Sequence, residues 1–114
     1  MRARSFRLRD SIKSAGDIKM IKHVVCFKLN ENESPEVAAN VLRGMKGNVP
    51  EIIEMEVGTD FLHSARSYDV YLSVVVKDKE ALESYQKDKY HCEVVKKHMH
   101  AVTKTSVAVD FEIK

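Results

Sequence analysis

Two cysteines, Cys26 and Cys92, are too few for the disulfide framework of a small secreted protein, and no secretory apolar stretch precedes the patterned part of the chain. Neither belongs to a Cys-x-x-Cys pair, so both read as small packing residues. No run approaches the roughly 18 apolar residues that a membrane-spanning helix needs. A glycine-rich phosphate loop is missing, as is any basic patch interleaved with aromatics, which removes the usual grounds for nucleotide or nucleic-acid binding. His91, His98 and His100 gather no Cys or carboxylate into a ligand set, so no metal is expected, and no motif asks for a cofactor. Internal repeats and low-complexity segments are absent as well. The expectation is a cytoplasmic protein with neither a membrane nor a nucleic-acid partner.

Charge of one sign is equally scarce: 19 Lys and Arg stand against 17 Asp and Glu, a formal net charge of +2. The excess is local. Arg2, Arg4, Arg7, Arg9, Lys13 and Lys19 face only Asp10 and Asp17 within residues 1–19, which leaves the rest of the chain mildly acidic. That basic stretch, poor in large apolar residues, reads as a weakly ordered tail dispensable for folding. Its Arg-rich, acid-poor, Ser-containing start only faintly suggests a mitochondrial presequence, and a cloning leader or an overlong start ahead of Met20 would look similar.

What remains, residues 20–114, is the size of one domain, and the whole chain's hydrophobic fraction of 44% supplies a packed core. Ile21, His23, Val25, Phe27 and Leu29 alternate with Lys22, Val24, Cys26 and Lys28, the period of a strand. Ser34 and Pro35 start a helix with Val37, Ala38, Val41, Leu42 and Met45 at helical spacing, and Gly47-Asn48 stops it. A second strand carries Ile53, Met55 and Val57 with Glu54 and Glu56 turned outward, and a third runs from Tyr68 to Val76 with apolar residues on both faces. Asp78 caps a short helix bearing Ala81, Leu82 and Tyr85. Helix resumes from about Tyr90 to His100, and a last strand alternates Val107, Val109, Phe111 and Ile113 against Ser106, Ala108, Asp110 and Glu112.

The order β-α-β-β-α(α)-β is the ferredoxin-like α+β plan, a four-stranded antiparallel sheet with its helices on one face. Val24, Cys26, Tyr71, Val75 and Ala108 are then expected on the face without helices, where a monomer seldom leaves a contiguous apolar patch. A second copy packed sheet to sheet is the natural cover, so a homodimer is expected.

Several segments together resemble the stress-responsive A/B-barrel (Dabb) family: Ile21-Lys22-His23-Val24-Val25-Cys26-Phe27-Lys28-Leu29, Val57-Gly58, Leu82-Glu83-Ser84-Tyr85-Gln86 leading to His91, and Val109-Asp110-Phe111. The resemblance spans roughly Met20 to Ile113 and implies a dimeric α+β barrel. One plant branch of the family cyclises linear polyketides with a Tyr and a His that correspond to Tyr85 and His91. Departures from the family pattern are Asp88 and Lys89, where members often carry His-Pro, and Leu42 and Val70, where the cyclising branch has polar pocket residues.

His91, near a helix N-terminus, is favoured as the neutral imidazole and could accept a proton, with Tyr85 orienting it or sharing the proton. The plainer alternatives are a half-buried histidine bonded to backbone and a core tyrosine. His23, on the helix-facing side with Phe27, needs a hydrogen-bond partner or points into the same cavity. The expected pocket is lined by His23, Phe27, Leu42 and Val70 around His91 and Tyr85. Phe61, Leu62 and His63 form either a flap over it or an ordinary surface loop. Function then divides between a pocket protein that takes a small, largely apolar ligand, with or without cyclase or lyase chemistry, and a non-catalytic structural dimer. Oxygenation or haem handling has only fold analogy behind it.

Overall fold

The computed structural model describes residues 19–113; the basic tail, Lys19 excepted, lies outside the described residues. Strand β1 (Ile21–Leu29) is followed by helix α1 (Pro35–Arg43), strands β2 (Glu54–Thr59) and β3 (Val70–Val76) and helix α2 (Lys79–Lys87). A π-helical turn (His91–Lys96) then leads directly into α3 (Lys97–Val102) and strand β4 (Thr103–Glu112). The four strands form one antiparallel sheet in the order β2-β3-β1-β4.

Local chemistry explains where the helices begin. The Ser34 hydroxyl accepts from the Val37 N–H at 3.2 Å with Pro35 in the first turn, and the Asp78 carboxylate accepts from the Ala81 N–H at 2.8 Å. Each satisfies an amide that the helix itself leaves without a partner. Asp88 does the same between the last two helices: Oδ1 accepts from the His91 N–H at 3.0 Å. The buried stripe of α1 is Ala38, Ala39 and Leu42, continued by Met45 in the turn beyond, while Val37 points to solvent.

Cross-strand register assigns the faces. His23 lies opposite Val74 on one side and Asp110 on the other, and Val25 opposite Leu72 and Ala108. The side under the helices therefore carries Ile21, His23, Val25, Phe27 and the fully buried alternation of β3, Val70, Leu72, Val74 and Val76. Ala108 belongs to this side too, contrary to its expected place on the open face. The apolar members of β4, Val107, Val109 and Phe111, pair with Cys26, Val24 and Lys22 and so stand on the open face, exposed. Glu54 and Glu56 share that face, opposite Val75 and Ser73. It is more apolar than the sequence pattern implied, because an exchange of one alanine for three large residues follows from the register alone.

The core lies between the helices and the covered face, with Tyr85, Leu42, Met45, Val74, Val76 and Val95 as its largest fully enclosed side chains. Leu42→Ala should cost about 2–5 kcal/mol of unfolding free energy, and Asp78→Ala about 1 kcal/mol through the lost cap. Val37→Ala, on the opposite side of α1, should stay within about 0.5 kcal/mol. Urea denaturation of the three variants reads this ranking; a Val37 variant as damaging as the Leu42 one would reverse the assigned face.

Candidate functional site

A cavity of about 200 Å3 opens between the covered face of the sheet and the last helices. Its walls bring His23, Phe27, Leu42, Tyr85 and His91 together. Val70 is buried in the core and lines a different hollow with Tyr68 and Tyr71. The Phe61–His63 loop contributes nothing to the cavity wall; Phe61 is 88% exposed, and the loop is held by the Asp60 carboxylate accepting from the His63 N–H.

His91 enters the cavity from the start of the π-helical turn. Its Nδ1 lies 3.0 Å from the backbone carbonyl oxygen of Tyr85. A carbonyl only accepts, so Nδ1 carries the proton, and the neutral ring keeps its lone pair on Nε2. It is thus the Tyr85 backbone, not its hydroxyl, that orients the imidazole.

The Tyr85 phenol ring is wholly buried and stacks on the His91 ring, with centroids 4.3 Å apart and planes inclined by 24°; His23 meets it edge-on at 5.7 Å. Its hydroxyl donates to Met45 Sδ at 3.7 Å, a weak acceptor. Burial, aided by the negative charge of Asp88, drives the phenol well above its ordinary titration range. It stays protonated at any physiological pH and serves as an aromatic wall between two imidazoles.

His23 Nδ1 is bonded to Asp110 Oδ1 across the β1–β4 ladder. The carboxylate can only accept, so His23 also presents the tautomer with Nε2 unprotonated when neutral. Asp110 is a site residue that alternation along β4 could not reveal, because its position opposite His23 depends on the strand register. Lys96, Met99, His100, Thr103 and Ser106 complete the helix and β4 side of the cavity, and none of these was marked by a motif. Among the described residues, no group of three or more His, Cys, Asp or Glu side chains is placed to hold a metal ion. No helix among them is long and apolar enough to cross a membrane.

Burial holds the His91 imidazole below its ordinary value of 6.5. The Tyr85 carbonyl opposes this by favouring the N–H, Lys96 lowers it further, Asp88 raises it and His23 lowers it. With the folded value the lower one, an unfolded chain takes up the proton first as pH falls. The His91 contribution to stability is therefore complete above about pH 6.5 and is lost as pH drops through the folded value. Urea midpoints should fall between about pH 7.5 and pH 5, and His91→Gln should flatten part of that fall; superimposable profiles would refute a neutral, buried His91.

Residues 21–113 match the family model described as the stress responsive A/B barrel domain. Among solved structures, a dimeric ferredoxin-like protein of unknown function from Thermobifida fusca superimposes with a TM-score of 0.73 at 21% identity, covering 85% of this chain and 93% of that one. A dimeric protein of unknown function and ferredoxin-like fold from Bacteroides fragilis gives 0.70 at 20% identity, with 82% and 96% covered. The hydroxynitrile lyase of Passiflora edulis gives 0.73 at 14% identity, with 84% and 94% covered. None of the curated protein sequences matches the chain.

Proposed function

The chain belongs to the stress-responsive A/B barrel domain family, and from that premise we propose that it binds a small, largely apolar molecule in the cavity beside His91, with His91 Nε2 as the proton acceptor. The observation that carries this reading is the occupied Nδ1 of a neutral, mostly enclosed imidazole in a largely apolar cavity. Such a nitrogen has no protein partner to satisfy among the described hydrogen bonds and a hollow in front of it. General-base catalysis asks for that protonation state and for reach to the substrate. His23, fixed by Asp110, supports a second proton-handling position across the Tyr85 ring. Proton transfer next to a carbonyl, as in a cofactor-free cyclisation or lyase step, is the chemistry two such imidazoles can perform. A neighbour of this fold is a hydroxynitrile lyase; the fold therefore suits an enzyme, while the reaction has to be argued from this chain's own side chains.

Cavity size limits the ligand. About 200 Å3 lies below the roughly 300–1,000 Å3 of pockets that enclose drug-sized molecules, so the ligand is smaller than those. A thermal-shift screen of small acids, ketones and phenols should find one that raises the melting temperature by mass action. The shift should disappear in His91→Ala. A ligand whose effect is indifferent to His91, Tyr85 and His23 alike would remove the site from this cavity.

The working unit of the proposal is a homodimer formed through the open face of the sheet, supported by Val24, Tyr71, Val107, Val109 and Phe111 lying together there without a helix over them. Val109, 61% exposed in the single chain, is the best place for a test because a charge there meets solvent rather than core. Sedimentation at micromolar concentration should show a dimer for the wild type and for Glu83→Lys on the outer side of α2. Val109→Asp should be largely monomeric. A wild-type monomer would overturn the assembly.

A further inference from the structure

The last helix points an unexpected set of side chains into the cavity. At about 100° per residue, a regular α-helix would turn Lys96 about 140° and His100 about 180° away from His91. Both nevertheless line the same cavity as His91, together with Val95 and Met99. The π-helical turn at His91–Lys96 is the cause. A wider turn rotates each residue less, so positions that an α-helix would send to the far side stay near the cavity, a frequent property of such turns at functional sites.

The chemistry of that added group is of one kind. Lys96 Nζ is anchored 3.1 Å from the Gln86 carbonyl oxygen, which uses one of its three donors, and among the described residues it forms no ion pair. Lys96 and His91 line the same cavity. Gln86 and Ser106 also line the wall, whereas Thr103 Oγ1 is closed off from it. His100 stands at the exposed rim. No Asp or Glu lines the cavity, because the Asp110 carboxylate is engaged by His23 outside it.

We propose that Lys96 and His100 form an anion-recognising mouth and that the ligand is a small monocarboxylate whose apolar body rests on Val25, Leu72 and Met99. This rests on the cavity being a ligand site, as proposed above. One ammonium and one imidazole match the two acceptor oxygens of a single carboxylate. Val25, Leu72, Val95 and Met99 make the apolar part of the wall. The π-helical turn thus sets the substrate class: without it the cavity would be a neutral hollow around two histidines.

Calorimetric titration of the full chain with hexanoate and with its neutral isostere hexanamide tests this. Wild type should bind hexanoate at least about tenfold more tightly, the scale of a charge-assisted hydrogen bond. Lys96→Met should erase that preference and Lys97→Met, its exposed neighbour, should keep it. Equal binding of the two probes, or a preference for hexanamide, overturns the anion mouth and leaves the ligand cavity standing. Binding of neither probe overturns the mouth, and the cavity reading falls with it only if the ligand screen on His91 also finds nothing. The wild-type comparison decides even where Lys96→Met fails to fold.

Discussion

How β4 lies on β1 governs the molecule more than any single core contact. Pairing His23 with Asp110 delivers a carboxylate to one imidazole of the cavity, and the same ladder, read from its other side, gathers Val107, Val109 and Phe111 beside Val24 and Cys26. A slip of one residue would exchange the two sets. Asp110 would face outward, His23 would lose its partner in a buried position, and the three apolar side chains would crowd under the helices. The His23–Asp110 pair at the cavity and the apolar open face are therefore two consequences of one backbone alignment.

The cavity survives inside this small domain because its walls are held by bonds that do not cross it. Asp88 caps the start of the last helix, the Tyr85 carbonyl fixes His91 from behind, and the Tyr85 hydroxyl turns away to Met45. These bonds turn Asp88, the His91 Nδ1 and the Tyr85 hydroxyl away from the hollow, while His91 Nε2 is left without a partner among the described hydrogen bonds.

The sequence made much of the fold legible. Ser34 and Asp78 announce their helices, the alternation of Ile21 to Leu29 announces β1, and the double-sided apolar run from Tyr68 announces β3, which begins two residues later at Val70. Ala108 was misplaced because period-two alternation tells which residues share a face but not which face is covered, and in β4 the more apolar set faces away from the helices. His91, Tyr85, His23, Phe27 and Leu42 meet around one hollow, but the partners that define their chemistry escaped notice. Asp110 depends on register, Lys96 and His100 depend on a helical turn of the wrong pitch for pattern reading, and the acceptor that orients His91 is a backbone carbonyl that carries no residue-specific signature. Val70 has the right strand and the right face and lies opposite Phe27, but of that pair only Phe27 lines the cavity.

Strand β4 lies at the edge of the sheet and pairs with β1 alone. Along its outer margin the backbone N–H and C=O groups have no neighbouring strand among the described residues, and its central stretch from Thr105 to Val109 carries no charge to repel one. With Val107, Val109 and Phe111 on one side, that edge is a template for any extended segment that passes. Under partial unfolding, crowding or heat, unwanted strand addition is therefore expected first along the ten residues of β4.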